Sequence, residues 1–449
     1  MPNTEASHHP KGDALFAEAS RLVPGGGSAS VRYNRALNRT LYVSRGNGAR
    51  ITDVDGNSYL DFCMSHGASI LGHNHPGIKA AVARALDMGI LCSYETEHHV
   101  ALARKISAMV PGAEMVRFSG TGTETVMHTV RLARAVTGRN KLIKFEGHFH
   151  GYSDYVFWST APPLDHAGPR DAPIPYCQSA GIPEGLRDDI IIVPFNDPDA
   201  LQKAIETHRN DLAGVIMEPV NYDAGCILPA PGFLQRVRSL TAANDLLLIF
   251  DEVLTAFRMA PGGAQEYYGV TPDLCVLGKA IGGGLPLSAI AGKREVMSHL
   301  RPLGQAEHSG TYMGHLIPVI GGLACLNELS RPGVYPRLFS LGDRLYNGLR
   351  EIISKQGVRA RLQHLGPRFF IYFGLNPDRE VTNYRDAAGY DRQLTLAFAR
   401  ETMARGVYFH DYGGGLAHHG FSTAHKEADI DEALSAIEDS FRALSKTPG

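Results

Sequence analysis

Short, nearly continuous apolar runs recur through the middle of the chain. They are MVRFS (115–119), KLIKF (141–145), IIIVPF (190–195), AGVIMEPV (213–220), LLLIFD (246–251) and LCVLG (274–278). Each has strand length, and few show the in-out alternation of a half-exposed strand, as expected for strands buried on both faces. Helical stretches lie between several of them, one running from a glycine turn after residue 119 to about residue 137. This alternation predicts a mostly parallel sheet covered by helices, an α/β fold.

The flanks read differently. Residues 1–12 predict a disordered tail, and 13–23 a helix that stops at Pro24 and a triple glycine. Residues 40–62 predict short strands around the turn signals Asn47-Gly48 and Asp55-Gly56. Residues 76–110 predict two amphipathic helices. Residues 155–188 break the rhythm, being rich in Pro, Gly and Asp and long for a connection. Such a segment is either a lid over a site or a surface insertion. From about 320 the pattern is helix-rich, with strand candidates at 368–375 and 406–410 and a last helix over 428–445. That stretch reads as a separate C-terminal domain.

Composition narrows the function classes. At 449 residues the chain suits two or three domains. A net charge of -2 gives no basic field for nucleic acid or an acidic membrane. No apolar run approaches the 18 residues of a membrane span, and the polar N-terminus has no signal-peptide core. Six scattered cysteines, none in a C-x-x-C pair, fit reduced thiols and a cytoplasmic home.

Four local patterns carry candidate chemistry. SGTGTET (119–125) sits between a predicted strand and a predicted helix, where amides, hydroxyls and the helix dipole suit an anion such as phosphate. The same turn also suits a plain helix cap. Asp251 ends an apolar run, at the strand end where open α/β sheets bind ligands, although strand-end aspartates often only cap helices. Lys279, in LCVLGKAIGGG, lies between an apolar strand and a glycine cluster. Desolvation there would lower its pKa and favour a nucleophilic amine, whereas most lysines beside turns are merely solvated. FEGHFHG (145–151) offers Phe149 for stacking or for core packing. His148 and His150 have no third metal ligand at useful spacing, so no metal is expected.

Taken in order, these patterns resemble the class III aminotransferases of the fold-type I superfamily dependent on pyridoxal 5'-phosphate (PLP). The likeness is nearest to the branch of glutamate-1-semialdehyde aminomutase and the β-amino-acid and D-phenylglycine aminotransferases. It runs from VPGGG (23–27) to STAHKEADID (422–431), through DVDGNSYLDF, LGHNHP, RFSGTGTE, RLARAVTGRNKLIKFEGHFHG, EPV, FDEVLTAFR, LGKAIGGGLP and HSGTY. The resemblance implies a large domain with a mostly parallel seven-stranded sheet (76–320). It also implies a smaller α/β domain formed by residues 1–75 with 321–449. Lys279 would carry PLP as a Schiff base and shuttle the proton, and Asp251 would hold the pyridine nitrogen protonated. Phe149 and Val253 would sandwich the ring, with His150 and Glu218 beside it. Thr121, Gly122 and Thr123 would bind the phosphate, joined by Thr311 from the neighbouring copy of a homodimer with shared active sites.

Arg32 matches an arginine that would pair with a substrate carboxylate, a task suited to the guanidinium fork, with Arg35 as competitor. His66 would also meet substrate. The chain departs from the aminomutase pattern at Ser65-His66, after the EPV motif, at HDYGGGLAHHG (410–420) and at Gly314-His315-Leu316. These departures put first a ping-pong aminotransferase acting on a small amino donor and a 2-oxo acid. Second stands an intramolecular aminomutase or an amino-acid racemase. A non-catalytic binding protein comes last, since it would have no need of the lysine.

Overall fold

The computed structural model describes residues 9–445. They fall into two compact units. One comprises Pro76–Tyr335 with Val381–Ala388, and the other holds the chain up to His75, Pro336–Glu380 and the stretch from Gly389.

The larger unit is built on a seven-stranded sheet. Its strands are β1 (Met115–Ser119), β2 (Lys141–Phe145), β3 (Ile190–Val193), β4 (Leu212–Met217), β5 (Leu247–Glu252), β6 (Leu274–Leu277) and β7 (Ser288–Gly292). Their spatial order is β1-β7-β6-β5-β4-β2-β3. Only β7 runs antiparallel to its neighbours, β1 and β6. Six of these strands were expected from their apolar runs; β7, the sequence SAIAG, was not. It is short and rich in small residues, and it is a strand because β1 and β6 pair with it on either side. Val215, Ile216, Leu248, Ile249, Val276 and Ile290 are wholly buried, as strands covered on both faces require.

In this order the carboxyl ends of β1, β2, β4, β5 and β6 open on one edge of the sheet. The amino end of antiparallel β7 joins them there. Chain segments leaving that edge are where open α/β sheets place their ligands.

The smaller unit contains the helix Pro10–Leu22 and the antiparallel strands Val43–Asn47, Arg50–Asp53 and Ser58–Asp61, extended by Val407–Tyr408. It also contains the antiparallel strands Ala360–Leu365 and Arg368–Phe373, edged by His419–Gly420. Phe62, Phe369, Phe373, Phe398, Phe409 and Phe441 form its aromatic core. The expected disordered tail needs correction at residues 10–12. They are helical, with Pro10 at the first turn and the amides of Lys11 and Gly12 donating to Asp55. Residues 1–8 of that tail lie outside the described residues. Among the described residues no helix is long and apolar enough to cross a membrane.

Candidate active site

Five segments at the carboxyl edge of the sheet enclose a cavity of about 300 Å³ in the larger unit. Gly120–Thr123 follow β1, Phe149–Tyr152 follow β2, Glu218 and Asp223 follow β4, Val253 follows β5 and Lys279 follows β6. Leu285–Leu287, leading into β7, close the apolar side.

The β1 segment makes a helix start. Thr121 caps the helix Gly122–Thr137, its side chain accepting from the Glu124 amide at 3.2 Å. The amides of Gly122 and Thr123 lie in the first turn, where no intrahelical acceptor exists, and the helix dipole adds positive potential. A Cβ on Gly122 would stand 3.1 Å from Val253, so glycine lets this turn approach the β5 segment. Gly151 has φ +84°, and a Cβ there would sit 2.6 Å from the Thr123 hydroxyl. The β2 loop thus closes against the same turn, and Tyr152 N donates to Thr123 Oγ1 at 3.2 Å.

The acidic floor is buried. Asp251 is 5% exposed. Its Oδ1 accepts from Val253 N at 3.1 Å and its Oδ2 lies 2.8 Å from His150 Nδ1. Both oxygens therefore have a partner, and when Asp251 is ionised it is Nδ1 of His150 that carries the proton between them. Burial pushes the Asp251 carboxyl up to about 7, opposed by the Val253 amide and the charge of Lys279. Burial also drives His148 and His150 well below the ordinary histidine range, so both are neutral. His148 accepts the Glu218 amide on Nδ1 at 3.0 Å and therefore carries its proton on Nε2.

Lys279 lines the cavity with φ +47°, a left-handed conformation that L side chains seldom adopt. Such strain concentrates at functional sites. Phe149 also lines the cavity, and its ring packs edge-on against Tyr152 at 5.1 Å.

The sheet therefore gathers Thr121, Gly122, Thr123, Phe149, His150, Glu218, Asp251, Val253 and Lys279 around one cavity. The other three expected site residues lie elsewhere. Thr311 is exposed in the larger unit, away from the cavity lining. Arg32 and His66 belong to the smaller unit. Arg32 is exposed at the end of a 3-10 turn. His66 lies in a run of left-handed residues, Met64, Ser65 and His66, and its Nδ1 is 2.7 Å from the Tyr412 hydroxyl.

Sequence reasoning missed Lys144, Glu146 and Arg385, which fasten the β2 loop. Lys144 is fully buried and its ammonium donates to the carbonyls of His148, Val156 and Trp158. A charged residue inside the otherwise apolar run KLIKF was the available signal, since a strand buried on both faces holds a charge only when it is fully hydrogen-bonded. Nothing local marked Arg385, which meets Glu146 across 239 positions of sequence.

The class III aminotransferase family model matches residues 32–441. Glutamate-1-semialdehyde 2,1-aminomutase of Methanosarcina acetivorans is 40% identical over 95% of this chain and 97% of its own. The enzyme named glutamate-1-semialdehyde 2,1-aminomutase 2 of Brevibacillus brevis is 40% identical over 97% and 98%. Among solved structures, an omega-transaminase from Sphaerobacter thermophilus superposes with TM-score 0.88 at 34% identity, covering 96% of this chain and 97% of that one. A transaminase with PLP bound gives 0.87 at 31% identity over 98% and 99%. A β-phenylalanine aminotransferase from Variovorax paradoxus gives 0.86 at 29% over 97% and 95%.

The cavity suits that cofactor. An anion fits the amides at the helix start, and a cationic ring nitrogen fits the buried carboxylate of Asp251. The buried Glu218 Oε2 has no hydrogen-bond partner from the protein and is available to a polar group of a ligand.

Proposed function

The chain belongs to the class III aminotransferase family, and on that premise we propose that it shifts an amino group within one small substrate, as an aminomutase. Its cofactor is pyridoxal 5'-phosphate. The sequence alone put transfer to a separate 2-oxo acid first. Relatives 40% identical over nearly the whole chain are named glutamate-1-semialdehyde 2,1-aminomutase, and this favours the intramolecular reaction. The observation that carries the chemistry is Lys279 in one cavity with the Asp251–His150 pair.

Bound PLP supplies a carbonyl carbon that captures a primary amine and a cationic ring that takes up electrons when a neighbouring proton leaves. The residues divide the remaining work. Lys279 Nζ, which lines the cavity, is the amine that would hold the cofactor and the base that would carry a proton for the reaction. Asp251 keeps the ring nitrogen protonated, and His150 holds Asp251 in place through Nδ1–H. Thr121, Gly122 and Thr123 hold the phosphate at the helix start, and Thr311 of a second copy completes that site in a homodimer. Phe149 and Val253 line the cavity and would flank the ring and exclude water. Arg32 remains our candidate for a substrate carboxylate, and His66 for a second substrate contact.

A second reading is ping-pong transamination between an amino donor and a 2-oxo acid. It draws support from the omega-transaminase and β-phenylalanine aminotransferase neighbours. It also draws on His66 and residues 410–420, where the chain departs from the aminomutase pattern. The deciding experiment gives PLP-loaded protein glutamate-1-semialdehyde with no 2-oxo acid, and separately a panel of amino donors. Catalytic isomerisation without an acceptor supports the mutase. Stoichiometric release of a keto product from β-phenylalanine or another donor, with turnover only after a 2-oxo acid is added, would replace it by transamination. Loss of optical activity from an amino acid with neither outcome would point to a racemase.

A further inference from the structure

The cavity holds more acidic groups than its one lysine balances. Glu218, Asp223 and Asp251 line it together with Lys279, and the cofactor phosphate adds further negative charge. Carboxylates crowded in a buried site do not all ionise, and one proton stays. The hydrogen bonds say where.

Asp251 has a partner on each oxygen, Val253 N donating to one and His150 Nδ1 facing the other. Glu218 has a donor on one oxygen only. Phe149 N donates to Oε1 at 2.9 Å, while Oε2 is buried with no partner from the protein. A bare carboxylate oxygen in such a place is costly, whereas an acid O–H directed into the cavity finds an acceptor in whatever polar ligand fills it.

We propose that Glu218 is held as a neutral carboxylic acid and that its Oε2–H donates a hydrogen bond to a polar atom of the bound cofactor. This rests on assigning the cavity to PLP. It does not depend on whether the reaction is mutase or transaminase.

Two cations oppose the proposal, Lys279 in the cavity and Lys144 on β2. The Lys144 ammonium donates to the carbonyls of His148, Val156 and Trp158, so it reaches Glu218 only as a field. His148 and His150, on the loop after β2, are neutral and add no charge. Asp223 and Asp251 favour retention of the proton, and Lys279 opposes it only while it is itself protonated. Burial, followed by the charges of Asp223 and Asp251, raises the Glu218 carboxyl well above its ordinary range. The Phe149 amide favours the charged form, but the carbonyl oxygen of a neutral acid still accepts it.

The test reads the proton itself. An infrared difference spectrum between wild type and Glu218→Gln is recorded at pH 7 without cofactor. It is expected to contain the C=O stretch of a protonated carboxylic acid, which Gln lacks. Adding PLP to wild type is expected to shift that band to lower frequency, as a new acceptor engages the O–H. A difference spectrum with only carboxylate bands overturns the neutral acid. A protonated band that ignores PLP overturns the hydrogen bond to the cofactor while leaving the family's reaction chemistry untouched.

A binding series gives an independent check. Glu218→Ala is expected to weaken PLP on the order of 10- to 100-fold, and Glu218→Gln, a neutral donor of the same length, to recover most of that loss. Equal losses in the two variants would mean that the charge, not the donor, matters, and the proposal fails.

Discussion

Lys279 and Asp251 mark the level at which a single side chain decides chemistry. Both stand directly at strand ends, and the left-handed backbone at Lys279 is maintained by the packed sheet edge around it. Lys279→Ala is expected to abolish turnover and the visible absorbance of lysine-bound cofactor while leaving far-ultraviolet circular dichroism unchanged. Normal turnover would remove Lys279 from the mechanism. Asp251→Asn keeps the shape but loses the charge that faces the ring nitrogen. Its kcat is expected to fall on the order of 10²- to 10³-fold, the usual cost of losing one preorganised electrostatic contact, with PLP still bound. Both residues were legible in the sequence as strand-end positions, because an apolar run followed by one polar residue is itself a strand-end signal, while their roles came from the family resemblance. Glu218 was legible as a position and not as a protonation state. That state depends on which oxygen meets Phe149 N and on how many carboxyls the fold brings together, and neither is local in sequence.

The strands show why some elements are legible and others are not. The runs IIIV and LAGVIM declare themselves by hydrophobicity, whereas SAIAG and ARLQHL become strands through their partners. The segment 155–188 left two readings open, and the structure shows it fastened at several points. Arg385 grips Glu146 bidentately, at 2.8 and 2.9 Å, and donates to the carbonyls of Ala167 and Gly168. Tyr384 donates to the Pro162 carbonyl at 2.9 Å. Residues 381–388 thus serve the larger unit although the stretches on either side of them belong to the smaller one. Removing Arg385 leaves Glu146, 3% exposed, buried and unpaired. Arg385→Met is therefore expected to cost about 3–5 kcal/mol in urea unfolding. Limited proteolysis should then cut within 161–173 before the sheet unfolds. A variant with wild-type stability and no new cleavage would show that the segment is held by its other contacts alone.

For the whole molecule, the question is what covers the apolar surface left on the larger unit. Leu86, Met88, Ile90 and Tyr94 follow one another along one segment and are 51%, 46%, 71% and 70% exposed, and Tyr312 is 71% exposed. The segments are neighbours, since Ser93 Oγ donates to the Thr311 carbonyl at 3.3 Å and Leu316 N to the Leu91 carbonyl at 2.9 Å. Large side chains grouped in this way mark an interaction surface more often than scattered exposure does. Thr311, which the family resemblance assigns to a neighbouring copy's phosphate site, lies within the group. One isologous contact would cover the patch on both copies and bring each Thr311 towards the other chain. Sedimentation equilibrium is accordingly expected to give twice the chain mass of 48.7 kDa. Ile90→Glu with Tyr94→Glu places charge in the middle of the patch and should yield monomers. Those monomers should retain their helical content and bind PLP more weakly than the parent, because the phosphate has lost a donor from the second chain. Thr311→Ala should weaken PLP binding while the dimer persists, separating the phosphate contact from assembly. Monomers with undiminished PLP affinity would place the phosphate site wholly within one chain, and a parent protein that sediments at 48.7 kDa would leave the patch to a different partner.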